Sequence, residues 1–155
     1  MDPLSVAASV VGLLTAAGKV YTLLDGLVAS IKNAPKCMQE AQNEVKHIEV
    51  ALYSLQRFIL QLDLTKPQRR ALIQVYDLTA MLADAMMSFS EFESTLQLLA
   101  TQNQVRTVIN WANYKKHIDE HLARSQRHKE SITMILNILQ WCVLGDSPHK
   151  LNSIV

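Results

Sequence analysis

From Met38 to Leu62 the apolar residues recur in alternating steps of three and four: Met38, Ala41, Val45, Ile48, Leu52, Leu55, Ile59 and Leu62. A helix with 3.6 residues per turn places all eight on one stripe, and Gln, Glu, Lys and Arg fill the outer face. Such a stripe stays wet unless other helices cover it. The partners it requires are helices of similar length.

The chain supplies them. Val75, Leu78, Leu82, Ala85, Phe89, Phe92, Leu96 and Leu99 repeat the pattern over a helix predicted from about Lys66 to Ala100, with "MSFSE" a weak place where it could bend. Thr65 and Gln68 fit a capping box at its start, with Pro67 in the first turn. "TQNQ" reads as a loop and "VRTVINWAN" as a short apolar connection or helical turn. A last helix is predicted from about Asn113 to Leu144, with a seam of Ile118, Leu122, Ser125, Lys129, Ile132, Leu136, Leu139 and Val143. At the front, Asp2-Pro3 is a helix start, and Leu4, Ala7, Val11, Leu14, Tyr21, Leu24, Val28 and Ile31 recur at helical spacing until "KNAPK". With four Gly and four Pro in 155 residues, a turn-rich β fold is disfavoured. The expected fold is all-α: an up-and-down bundle of four long helices plus a short connecting helix or turn. It spans residues 1–144 as one domain, with 145–155 a tail or linker start.

The first of these helices is unusual, because residues 3–18 carry no charge. A secretory signal would open on a basic segment, yet Asp2 is the only charge before Lys19. A constitutive span needs ~20 continuous apolar residues, and Lys19 and Asp25 interrupt the run. A helix packed among neighbours remains, apolar on most sides. Its position at a terminus makes release cheap in backbone terms, and Ala8, Gly12 and Ala16 form a small-residue row suited to close helix contact in lipid as in water.

No enzymatic constellation stands out. A net charge of +1 gives no overall reason to bind nucleic acid, and the basic residues are not interleaved with stacking aromatics. Cys37 and Cys142 are too few for a disulfide framework or a cysteine zinc site. There is no glycine-rich phosphate loop, so no cofactor is expected. "HIDEH", residues 117–121, matches the H-x-x-E-H string of inverted zinc proteases, but a distant carboxylate ligand and a cleft have no support; it reads as a solvated helix face. The same stretch holds the chain's basic residues. Lys115, Lys116, Arg124, Arg127 and Lys129 form a candidate patch for anionic lipid headgroups, diluted by Asp119, Glu120 and Glu130. An i,i+4 pair, Glu120 with Arg124, is expected on it, and His117, His121 and His128 would add charge in acid wherever they are exposed. Trp111 and Tyr114 are expected to anchor the last loop, and Trp141 to pack or to make a dimer contact.

Three blocks of residues carry a family likeness. "MDPLSVAASVVGLL", then "APK" followed by "EV..IEVALYSL", then "INWA..KKHIDEHLARSQRHKESITMIL" resemble the HeLo-like domain found at the N-terminus of fungal STAND (NOD-like) receptors and ankyrin-repeat proteins. The likeness runs from Met1 to about Leu144, and its opening block is the most specific part. It implies a helical bundle related to the HeLo cell-death domain and to the four-helix executioner of necroptosis. It also implies a non-enzymatic role in nonself recognition: cytoplasmic at rest, oligomerising on a signal from a STAND receptor or an amyloid-signalling partner, then disrupting the plasma membrane. The N-terminal helix would be the membrane-active element, here Leu4, Val6, Val10, Val11, Leu13, Leu14, Lys19, Val20, Tyr21, Leu23 and Leu24. The alternative from another class is a soluble oligomerisation or adaptor module of such a receptor, without membrane activity.

Overall fold

A computed structural model of the chain describes residues 3–31, 35–61, 76–102 and 104–145, with side chains throughout except at 3–4, 76–77, 104–112 and 142–145. All of the regular structure among them is helical: α1 (Pro3–Ser30), α2 (Lys36–Gln61), α3 (Tyr76–Ala100) and α4 (Gln104–Gly145). The expected capping box at Thr65–Gln68, the start of the third helix near Lys66, the seam positions Leu62 and Val75, the side chains of Val143 and Trp111, and the tail beyond Gly145 lie outside what is described.

The α2 seam is buried from Met38 to Ile59 as its spacing requires. In α3, Leu78, Leu82, Ala85, Phe89, Phe92, Leu96 and Leu99 are likewise buried, and the helix runs unbroken through "MSFSE". Both results follow from stripes narrow enough to leave one orientation. Two expectations fail. "VRTVINWAN" is not a separate connection, because α4 is one helix from Gln104 to Gly145. Neither Gly nor Pro occurs before its last residue, so no backbone element ends it earlier. The core face of α1 is also rotated from the predicted stripe. Val6, Val10, Leu13, Ala17, Val20, Leu24 and Leu27 are buried, whereas Ala7, Leu14, Tyr21, Val28 and Ile31 are half-buried and Val11 is exposed. A helix apolar nearly all round offers several equivalent stripes, so periodicity alone does not select among them.

Around the bundle, α1 packs on α2 and α3, and α4 packs on the same two; α1 and α4 touch only marginally, as do α2 and α3. Cross-links give the sense of each pair. Gln42 donates to Asp25 at 2.9 Å, and the Lys46 ammonium lies 5.2 Å from the Tyr21 ring centroid, so α1 and α2 run in opposite directions. Thr95 meets His121 and Ser88 meets His128, so α3 and α4 do too. Consecutive helices α2 and α3 therefore lie on a diagonal of the bundle. Each fully buried Leu, Ile or Phe contributes about 1.5–3 kcal/mol, and all four helices donate such residues to one core.

Candidate functional site

The proposed membrane-active helix divides cleanly by environment. Of the residues singled out in it, Val6, Val10, Leu13, Val20 and Leu24 point into the core; Leu14, Tyr21 and Leu23 are half-buried against it; Val11 and Lys19 face outward. The Leu4 side chain lies outside the described set. The outer face of α1 is formed by Ala8, Val11, Thr15, Lys19, Thr22, Asp25 and Gly26. Thr15 and Thr22 return their hydroxyls to the carbonyls of Val11 and Gly18, which mutes their polarity. The small-residue row lies partly against α3, where Gly12 leaves room for the Met86 methyl: a Cβ there would sit 3.1 Å from it.

The basic patch is less free than its composition suggests. Lys129 donates to Glu44 of α2 at 2.6 Å, and Arg124 binds Glu91 of α3. The expected Glu120–Arg124 pair does not form; Glu120 instead faces Lys116 at 4.0 Å and His117 at 3.6 Å. Lys115 and Arg127 are exposed with no ion pair among the described residues. Two of the five cations thus serve as ties between helices, a use that only the neighbouring acids reveal.

The histidines also part company. His117 is exposed, but His121 and His128 turn into the seam between α3 and α4. His128 is 7% exposed, with Nε2 3.0 Å from Ser88 Oγ and 4.0 Å from Asp84 Oδ2. His121 stacks on Phe92 with ring centroids 4.8 Å apart and planes at 13°, its Nε2 3.1 Å from Thr95 Oγ1. Loss of hydration pushes the pKa of both imidazoles below the usual histidine value, aided by Arg124 at each. They do not extend an outer cationic patch. Buried Ser88, Ser125 and His128 went unpredicted as a group; the only hint was Ser125 on the α4 seam.

The "HIDEH" string places its two imidazoles in different surroundings, one in solvent and one stacked in the seam. Among the described residues no three of His, Cys, Asp or Glu gather as a metal site. Tyr114 ties the turn before α4, its hydroxyl accepting from Gln102 at 2.6 Å. Trp141, expected to pack or to make a dimer contact, does not pack within the bundle: it is 78% exposed, and with Met134 and Ile138 lines a shallow groove on the outer face of α4.

Compared with protein-family models, curated proteins and solved structures, the chain matches none of them. Among the described residues the architecture is an all-α bundle with one helix, Ser5–Ser30, long and apolar enough to cross a membrane. A core helix of a soluble protein has the same length and composition.

Proposed function

We propose that the chain is a membrane-targeting, oligomerising cell-death domain of the HeLo-like kind, an up-and-down bundle whose α1 is the membrane-active element. The observation that carries this reading is the double character of α1. One side supplies core residues, while the other is open and carries no charge before Lys19. Only 28% of its apolar window is buried.

Magnitudes make release conditional. Moving the buried side chains of α1 into water would cost on the order of 10–20 kcal/mol at about 1.5–3 each, as much as the whole stability of an ordinary domain. Lipid tails remove that cost, since they cover the same side chains and also Val11 and Leu14. From Pro3 to Leu24 the helix is ~33 Å long, enough for a ~30 Å hydrocarbon core, with Lys19 near enough to one end to snorkel. Departure of α1 also uncovers the apolar faces of α2 and α3 on which it packs. Contacts with further copies of the chain would cover them again, which couples release to oligomerisation. The exposed Lys115, Lys116 and Arg127 suit an anionic lipid surface at the landing stage. The partners are then lipid, self and an upstream STAND receptor or amyloid-signalling protein. The resting place is the cytoplasm, and the active place the plasma membrane.

A soluble oligomerisation or adaptor module is the second reading, favoured by the complete burial of the inner α1 face. Dye release from phosphatidylcholine/phosphatidylserine vesicles separates the two. The full chain is expected to release dye, and Val11→Asp to release at least tenfold less at unchanged helicity. A carboxylate costs little on an exposed site, but ~2.5–3.5 kcal/mol in hydrocarbon. No release and no lipid binding by the full chain, even as a cross-linked oligomer, would leave the adaptor reading.

A further inference from the structure

We propose that the α3/α4 seam is an acid-operated latch: protonation of His121 and His128 parts α4 from α3 while α1 and α2 stay packed together. The inference stands independently of the membrane reading and would supply that reading with a trigger.

Of the four packed helix pairs, α3 and α4 share the sparsest contact. Their seam is crossed by a ladder of polar links: Gln102 to Tyr114, Thr95 with His121, Glu91 with Arg124, and Ser88 with His128. Two rungs are histidines, and the geometry at His121 suits the neutral ring. Thr95 already donates its hydroxyl proton to the Glu91 carbonyl at 3.0 Å, so its oxygen accepts from His121 Nε2–H. That assigns the neutral tautomer and leaves His121 Nδ1 bare. This atom is buried without a partner. A proton added there becomes a buried N–H with no acceptor, on a ring stacked against Phe92.

The charges around the two rings divide: Arg124, with Arg127 at His128, disfavours the imidazolium, while Glu91 and Glu120 at His121 and Asp84 at His128 favour it. His121 faces Glu91 from α3 and has Arg124, His117 and Glu120 beside it on α4. His128 faces Asp84 from α3, with Arg127 and Arg124 on its own helix. On the α2 side Glu44 is held by Lys129, and α1 turns Asp25 to Gln42 of α2. Glu91 is engaged by Arg124, leaving Asp84, 76% exposed at its side chain, as the one acid facing His128 among the described residues. Two new cations would therefore join Arg124 and Arg127 along two turns of α4.

The direction of the effect follows from proton linkage. Both imidazoles hold a proton less tightly in the closed seam than in the open chain. The seam is at full strength above the unfolded histidine value of ~6.5. Its strength is lost progressively as pH falls from there through the lower folded values.

Imidazole proton NMR and hydrogen exchange of the full chain test the proposal. His121 and His128 are expected to titrate below pH 6.5. After correction for intrinsic rates, amides of α3 and α4 are expected to lose at least tenfold protection between pH 7.5 and 5.0, while those of α1 and α2 lose several-fold less. The double variant His121→Gln/His128→Asn should abolish that difference between helix pairs. Equal loss in all four helices, no loss in any, or titration at or above 6.5 overturns the latch. The wild-type measurements decide the question even if the variant does not fold.

Discussion

Lys129 of α4 and Glu44 of α2 meet at 2.6 Å, with side chains only 28% and 17% exposed. This pair ties together two helices that run side by side, and it takes out of the basic patch a lysine that composition assigns to lipid. Partial burial is what gives it weight. An exposed pair contributes ~0–1 kcal/mol, whereas removing one partner of a covered pair strands the other charge.

Lys129→Met is accordingly expected to lower stability by about 1–3 kcal/mol in urea unfolding, with Glu44→Gln close behind. Combining them should recover much of the loss, because no charge is then left unpaired. Additive losses in the double-mutant cycle would show that the contact is not an energetic tie.

The rotated core face of α1 gives a sharper comparison. Leu13→Ala removes a fully buried side chain and should cost about 2–5 kcal/mol. Val11→Ala lies on the exposed side and should change stability by less than about 0.5 kcal/mol. Thermal or urea unfolding of the two variants suffices. The reverse order would restore the face predicted from spacing.

Two glycines of the same helix differ in what surrounds them. A Cβ at Gly26 meets nothing within 4 Å, so Gly26→Ala should stabilise by about 0.5–1 kcal/mol through helix propensity. At Gly12 the same change meets the Met86 methyl at 3.1 Å, and part of the gain is used in displacing it. The expected order in melting temperature is Gly26→Ala above Gly12→Ala.

Cys37 is half-buried near the start of α2, and loss of hydration raises its thiol pKa, with the Asp119 charge adding to the rise and Lys115 opposing it. Peptide-resolved alkylation by iodoacetamide at pH 8 should be slower than for a free cysteine, since less thiolate is present. Asp119→Asn should speed it and Lys115→Ala should slow it. Alkylation at the free-thiol rate would mean that Cys37 is solvated.

Regular seams explain what was legible in advance. On α2 and α3 the polar residues bound the apolar stripe so closely that only one orientation buries it, and every described position of those stripes is buried. The candidate site was legible in part: α1 stood out by its lack of charge, and the basic region of α4 by composition. The roles of Arg124, Lys129, His121 and His128 were not, because each depends on Glu91, Glu44, Thr95 or Ser88, distant in sequence.

By itself, then, the sequence determined the helical character of the chain, the core stripes of α2 and α3, and a first helix long and apolar enough to cross a membrane. Those properties are local, set by residue spacing and by where charges are missing. Tertiary structure decided which face of α1 is inside, that α2 and α3 lie on a diagonal, and that α4 is continuous past Trp111. It also turned two histidines and two cations inward as links between helices. Such choices belong to the fold because they depend on what each side chain meets across a seam, and spacing along one helix carries no information about its neighbour.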